Sequence, residues 1–268
     1  MKFLAAAIQM LASDDKMANL EEAERWIRHA ASAGARLVAL PEVFIWRGDK
    51  KLERASAESV PGPTTARLAD LARALGIHIL GGSILEEIPE RPKAYNTSAL
   101  FGPQGEVVAT YRKIHLFDVE LDNGVTARES DTRQFGDAVV VAKTDLCPMG
   151  LTICYDLRFP ELYRALAFKR AEIVFVPSAF TAYTGKAHWE PLLRARAIEN
   201  QIYVIAPDQY GKNPKSFETH GHSMIIDPWG NILAELPDGP GVAMAEIDLD
   251  YLAKVRRELP ALTHRKLN

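Results

Sequence analysis

Arg36-Leu37-Val38-Ala39-Leu40-Pro41-Glu42 is the stretch from which the fold can be read. Leu37 to Leu40 form a short apolar run of strand length, and Pro41 stops it, because proline has no N–H to give to a sheet ladder. Just upstream, Ala18–Ala33 repeats apolar residues at helical spacing and ends at Gly34. Phe3–Ile8 is an earlier apolar run of strand length. The three together predict a β-α-β unit, whose parallel strands lie buried beneath helices.

The alternation continues outward from this unit. Thr64–Leu75 reads as a helix ending at Gly76, and Ile77–Leu85 as one strand. Ala99–Phe101 and Val107–Tyr111 flank Gly-Pro-Gln-Gly, a hairpin signal. Residues 118–137 are polar and turn-rich and read as loop. Leu151–Cys154 ends a strand, Pro160–Arg170 is helical, Ile173–Val176 a strand, His188–Asn200 a helix and Tyr203–Ala206 a strand. Ser223–Ile226 and Ile232–Leu236 flank Pro228-Trp229-Gly230-Asn231, a second hairpin signal. No linker, low-complexity segment or fixed-period repeat divides the 268 residues, so one α/β domain over 1–268 is expected.

Composition narrows the function classes. The net charge is −3, with no Lys/Arg block, which argues against nucleic acid or an anionic membrane as partner. No apolar run is long enough for a transmembrane helix. Met1–Ile8 loosely resembles a signal peptide, but Gln9 breaks it and Asp14-Asp15-Lys16 follow, so a buried strand is the better reading. Two cysteines in no CxxC arrangement fit a reducing compartment, and a cytoplasmic location is expected.

Sites in α/β sheets gather beyond the carboxyl ends of strands. Here Leu40-Pro41 ends in Glu42, and Leu151-Thr152-Ile153 ends in Cys154. Cys154 is a candidate nucleophile that needs a base, since a free thiol is only a few per cent thiolate at neutral pH. Cys147 lies in a turn and reads as structural. His220-Gly221-His222 lacks the companion ligands of a zinc set, so no metal is expected. GxSxG, GxxxxGK[ST] and GxGxxG are all absent, which weakens the serine-hydrolase, P-loop and dinucleotide readings.

Three blocks resemble the signatures of the nitrilase superfamily of carbon–nitrogen hydrolases. They are Leu40-Pro41-Glu42, Tyr111-Arg112-Lys113-Ile114-His115-Leu116-Phe117 and Leu151-Thr152-Ile153-Cys154-Tyr155-Asp156-Leu157-Arg158-Phe159-Pro160-Glu161. Further matches fall at Thr184-Gly185, Ala187-His188-Trp189-Glu190, residues 194–200 and residues 221–230, so the likeness spans essentially the whole chain. The resemblance implies a four-layer α-β-β-α sandwich, no metal or organic cofactor, and a homodimer or larger homo-oligomer.

It also implies roles. Glu42 would be general base, Lys113 the oxyanion's positive charge, Cys154 the nucleophile and Glu129 the residue that positions the lysine. The backbone N–H of Tyr155 would complete the oxyanion hole. Within the superfamily the chain looks most like Nit-type amidases, with Pro177-Ser178-Ala179-Phe180 and residues 223–230 closer to the deaminated glutathione amidase branch than to the ω-amidase branch. The implied reaction is hydrolysis of the terminal amide of a small 2-oxo acid to carboxylate and ammonia through an acyl-thioester. Arg158 and Thr184 would meet the substrate carboxylate, and Lys186 stands where the block usually has Pro, near the substrate mouth. The alternatives are an ω-amidase acting on α-ketoglutaramate, a nitrilase or N-carbamoyl hydrolase, and a non-catalytic binding protein on the same fold. A metal hydrolase built on His220 and His222 is the most distant.

Overall fold

A computed structural model describes residues 1–122 and 124–266. Lys2–Gln9 pairs in parallel with Ala35–Ala39, and that strand with His78–Leu80, as the opening β-α-β pattern requires. Gly241–Asp248 closes the near edge antiparallel to Lys2–Gln9. On the far side come Ala94–Phe101 and Ile84–Glu87, and Val107–Arg112 and Arg133–Gln134 also pair with Ala94–Phe101. The second sheet runs Val141–Ala142, Met149–Leu151, Ile173–Phe175, Tyr203–Ala206, Met224–Ile226, Ile232–Glu235, with its central three strands parallel where they adjoin.

The period-2 alternation of each strand separates the layers. Ala5, Ala7, Leu37 and Ala39 face inward and pack in one cluster with Leu151, Phe175, Ile205 and Ile226 of the second sheet. Ala6, Ile8, Val38 and Leu40 face outward onto Leu20, Ala23 and Ile27 of helix Lys16–Ser32 and Leu68 and Leu71 of helix Pro63–Leu75. The second sheet's outer face carries helices Pro160–Phe168 and Ala182–Asn200 through Leu162, Leu166, Trp189 and Leu193. This is the four-layer α-β-β-α sandwich.

Several boundaries differ from the sequence expectation. The run read as one strand over Ile77–Leu85 is two, His78–Leu80 and Ile84–Glu87, broken at Gly81-Gly82-Ser83. Gly82 has φ +48°, and a Cβ there would lie 2.0 Å from the Pro41 carbonyl oxygen. Residues 118–137 are not all loop: Asp118–Glu120 pairs with Thr126–Arg128, and Glu129–Asp131 forms a helical turn. The helix expected from His188 begins at Ala182, with Thr181 as its N-cap, and carries Pro191 inside. Strand Gly241–Asp248 and helix Leu249–Glu258 have no counterpart in the sequence reading.

Candidate active site

The two sheets deliver their strand ends to one place. Glu42 follows Ala35–Ala39 of the first sheet, and Lys113 directly follows Val107–Arg112. Cys154 opens the helical turn Cys154–Arg158 after Met149–Leu151 of the second sheet. Their mutual spacing is set by two backbone bonds to the segment after Ile173–Phe175, one from the first sheet and one from within the second. The Glu42 N–H donates to the Ser178 carbonyl (3.3 Å), and the Cys154 N–H donates to the Pro177 carbonyl (3.0 Å). Both turns are sharp: Val43 has φ +44° and Cys154 φ +47°, conformations that non-glycine residues hold only where surroundings enforce them.

Glu42 is buried and fully engaged. Its Oε1 accepts from Lys113 Nζ (2.9 Å) and Asn96 Nδ2 (2.8 Å), its Oε2 accepts from the Ala179 N–H (2.9 Å), and the Cys154 thiol is close enough to couple electrostatically to the same carboxylate. Lys113 also donates to both oxygens of Glu129, at 3.2 and 2.9 Å. Glu129 is oriented in turn by the Phe117 N–H (2.9 Å) and by Arg133, which also pairs with Glu53. Charges therefore alternate from Glu42 through Lys113, Glu129 and Arg133 to Glu53. Alternation of this kind is what permits ions to be buried at all.

The electrostatics fix the resting protonation. Burial alone would raise the Glu42 carboxyl, but the charges of Lys113 and Arg133, with the hydrogen bond from Lys113 and the nearby Cys154 thiol, hold it below the usual glutamate range. Burial works against the Lys113 ammonium, yet Glu129 and Glu42 more than offset this and keep it charged. Burial and the Glu42 charge push the Cys154 thiol well up, with Lys113 pulling the other way. The resting site is thus a carboxylate, an ammonium and a neutral thiol. Such a set can move the thiol proton to Glu42 as sulfur attacks a carbonyl, with Lys113 beside the oxygen that becomes negative.

These groups open onto a cavity of about 610 Å³, of a size for a small ligand. Tyr155 lines it as the second residue of its turn, where a helical N–H has no intrahelical acceptor. Arg158 lines it too, its guanidinium 5.2 Å above the Phe180 ring and 5.8 Å from that of Tyr155, with Nη1 at 3.2 Å from His188 Nδ1. The Thr184 hydroxyl is 2.7 Å from that of Thr181, the N-cap of its helix. So the structure brings Glu42, Lys113, Glu129, Cys154, Tyr155, Arg158 and Thr184 to one cavity. It adds three residues that sequence reasoning missed: Asn96, Arg133 and the cavity-lining Arg47. Asn96 begins a polar run, Asn96-Thr97-Ser98, inside a buried strand, which is a legible signal; Arg47 and Arg133 carry none.

The other candidates lie apart from this chemistry. Cys147 is buried, and burial raises its thiol. His220 and His222 stack at 4.6 Å, and burial first, then His222, pushes His220 down to about 4. Among the described residues, no three or more His, Cys, Asp or Glu side chains are grouped to hold a metal ion.

A sequence model of one family, Carbon-nitrogen hydrolase, matches residues 4–257. The chain is a carbon–nitrogen hydrolase of the nitrilase superfamily. This hydrolase is 48% identical over 268 residues to the deaminated glutathione amidase of Synechocystis, covering 98% of each chain. It is 41% identical over 265 residues to the ω-amidase NIT2 of Xenopus tropicalis, covering 99% of this hydrolase and 95% of that enzyme. The crystal structure of the C. elegans NitFhit protein superposes with a TM-score of 0.93 at 35% identity. That match takes in 99% of this hydrolase, which spans 65% of the NitFhit chain. Among its described residues, no helix of this hydrolase is long and apolar enough to cross a membrane.

Proposed function

We propose that this hydrolase is a cysteine amidase for 2-oxo acid amides, with deaminated glutathione as its preferred substrate. The observation that carries the chemistry is the buried Cys154 thiol coupled to the buried Glu42 carboxylate in one cavity, with Lys113 Nζ 2.9 Å from that carboxylate and charged. The substrate reading is supported by the greater identity to the Synechocystis enzyme than to the Xenopus ω-amidase.

In this reading the Cys154 thiol passes its proton to Glu42 as Sγ attacks the amide carbon. The tetrahedral oxyanion is stabilised by Lys113 Nζ and the Tyr155 N–H. Glu42 then gives its proton to the departing nitrogen, leaving an acyl-thioester. Water enters, Glu42 takes one of its protons, and the second tetrahedral intermediate collapses to carboxylic acid and thiol. Glu129 positions Lys113 throughout. Because the resting thiol is neutral, its proton must pass to Glu42 before or as sulfur attacks, and no thiolate accumulates at rest.

The leaving group depends on the substrate. Deaminated glutathione carries its amide on a cysteinylglycine unit, so an amine departs; the ammonia expected from the sequence is the product from α-ketoglutaramate. The reading includes a cytoplasmic location and a homo-oligomer. Exposed Ile198 and Trp229, near the C-terminal end of helix Ala182–Asn200, offer an apolar patch to a second copy.

The test is 2-oxoglutarate formation from both substrates, side by side, with Cys154→Ala as control. A kcat/KM preference above about tenfold for deaminated glutathione, or about 1.4 kcal/mol at the transition state, supports the reading. Preference for α-ketoglutaramate moves the protein to ω-amidase with the same mechanism, and turnover of neither rejects the substrate class.

A further inference from the structure

We propose that Phe217 selects the leaving group of this amidase and that Arg47 is the buried strap that seats it. This rests on the cysteine-amidase reading above and concerns the half of the substrate that departs. Burying a cation without an anion is strongly unfavourable, and buried basic side chains nearly always have carboxylate partners. Lys113 has Glu42 and Glu129, Arg133 has Glu53 and Glu129, and Arg196 has Glu199. Arg47 is 6% exposed and, among the described residues, forms no ion pair. Burial works against its charge and the field of Glu42, followed by that of Asp208, favours it, but its hydrogen bonds go to neutral groups. Those bonds hold one loop. Residues 212–218 connect strand Tyr210–Gly211 to its antiparallel partner Thr219–His220, and Pro214, Lys215 and Ser216 are exposed. Arg47 grips this loop at both ends. Its carbonyl accepts from Asn213 Nδ2 (3.1 Å), and its Nη2 donates to Ser216 Oγ (3.1 Å) and to the Phe217 carbonyl (3.2 Å). Charge-assisted bonds are stronger than neutral ones, so the guanidinium fixes a segment that has little else to bury.

What the loop presents is the Phe217 ring. It is half-buried on the wall of the cavity that holds Cys154, 5.2 Å from the Arg47 guanidinium and edge-on to Phe117 at 6.3 Å. Proton transfer decides which part of the substrate reaches it. Glu42 hands its proton to the departing nitrogen, so that nitrogen and whatever it carries lie on the Glu42 side of Cys154. Arg47 stands on that side: Gln209 accepts from its Nη1 (3.4 Å) and donates to the Glu42 carbonyl (2.6 Å). The acid end of the substrate goes elsewhere, to Arg158 and Thr184 beside Phe180 and Thr181. A cavity of about 610 Å³ is roomier than α-ketoglutaramate requires, which leaves space for a bulky leaving group. An aromatic wall suits the thiol-bearing arm of a cysteinylglycine unit and offers nothing to ammonia.

The deciding experiment uses two substrates with one acyl group. Deaminated glutathione and α-ketoglutaramate form the same acyl-thioester, so the ratio of their kcat/KM values reads the leaving group alone. Phe217→Ala should lower that ratio by on the order of 10-fold, the worth of one aromatic contact. Phe217→Leu, which keeps most of the bulk, should lower it by a smaller factor and serves if the alanine variant does not fold. Arg47→Gln should lower it in the same direction, and Arg47→Lys, which can still donate to the loop, should recover part of it. Trypsin gives a readout without turnover: cleavage after Lys212 and Lys215 should be faster in Arg47→Gln than in wild type, and equal rates overturn the strap. A purely structural role for Phe217 would lower both kcat/KM values alike and leave their ratio at the wild-type value, which overturns the proposal. A wild-type preference for α-ketoglutaramate would move the proposed function to ω-amidase, while a shifted ratio in Phe217→Ala would still uphold the leaving-group wall. Turnover of α-ketoglutaramate with none of deaminated glutathione overturns that wall, and turnover of neither rejects the proposed function and this inference with it.

Discussion

At the scale of single residues, the assignments make separable demands. Cys154→Ala should abolish product formation while the circular dichroism spectrum stays native, because the change removes a single sulfur atom and keeps the Cβ; substantial residual turnover would refute it as nucleophile. Lys113→Ala should lower kcat by on the order of 10²–10³ if the ammonium stabilises the oxyanion, whereas a change confined to KM would indicate binding alone. It should also cost stability, because Glu42 and Glu129 would be left buried without their shared cation. The pH profile of kcat/KM follows from the same electrostatics. Glu42 acts as base only when ionised, and its pKa is lowered, so the acid limb should fall below the ordinary glutamate range. Lys113 is held charged and Cys154 neutral far into alkali, so no alkaline limb from either should appear near neutrality. A limb between pH 6 and 8 that vanished in Lys113→Ala would contradict this. Glu42, Lys113 and Cys154 were legible because each sits in a short local motif; Glu129 came only with the resemblance, from a looser stretch. Arg47, Arg133 and Asn96 owe their importance to neighbours far off in sequence, which no local pattern encodes.

At the scale of elements, punctuation mattered more than propensity. The apolar run at 77–85 reads as one strand until Gly82 is seen to touch the Pro41 carbonyl, where no side chain fits. That close approach backs the turn that presents Glu42, so Gly82→Ala should lower stability by about 1–3 kcal/mol. It should also lower kcat/KM, with both read from thermal unfolding and steady-state assays. The helix at Ala182 escaped sequence reading because Gly185 interrupts its pattern. Glycine is needed there, since a Cβ would lie 2.3 Å from the His220 ring. Strand Gly241–Asp248 is specified by Lys2–Gln9 at the opposite end of the chain, a partner invisible to any local window.

At the scale of the molecule, proposed base and nucleophile come from different sheets, so their spacing is a property of how the sheets pack. The small residues Ala5, Ala7 and Ala39, fully buried between them, set that distance. Ala7→Leu should cost about 1–3 kcal/mol by overpacking, seen as a lower urea midpoint, and should reduce kcat/KM by moving Glu42 relative to Cys154. Reduced stability with unchanged kcat/KM would show that the backbone bonds at Ser178 and Pro177 alone hold the geometry. The β-α-β alternation made the layered fold legible. The register between sheets was not, because it depends on side-chain volumes meeting across the core.

The neutral state of Cys154 has a bearing on life among oxidants and electrophiles. Peroxides and alkylating agents react with thiolates, and a thiol kept protonated within a desolvated pocket offers them little. Such a nucleophile is reactive only towards a molecule that seats a carbonyl beside Lys113, and a bystander with no carbonyl to seat, such as hydrogen peroxide, should modify Cys154 slowly. The burial that would make this cysteine a poor free nucleophile thereby also makes it a durable one.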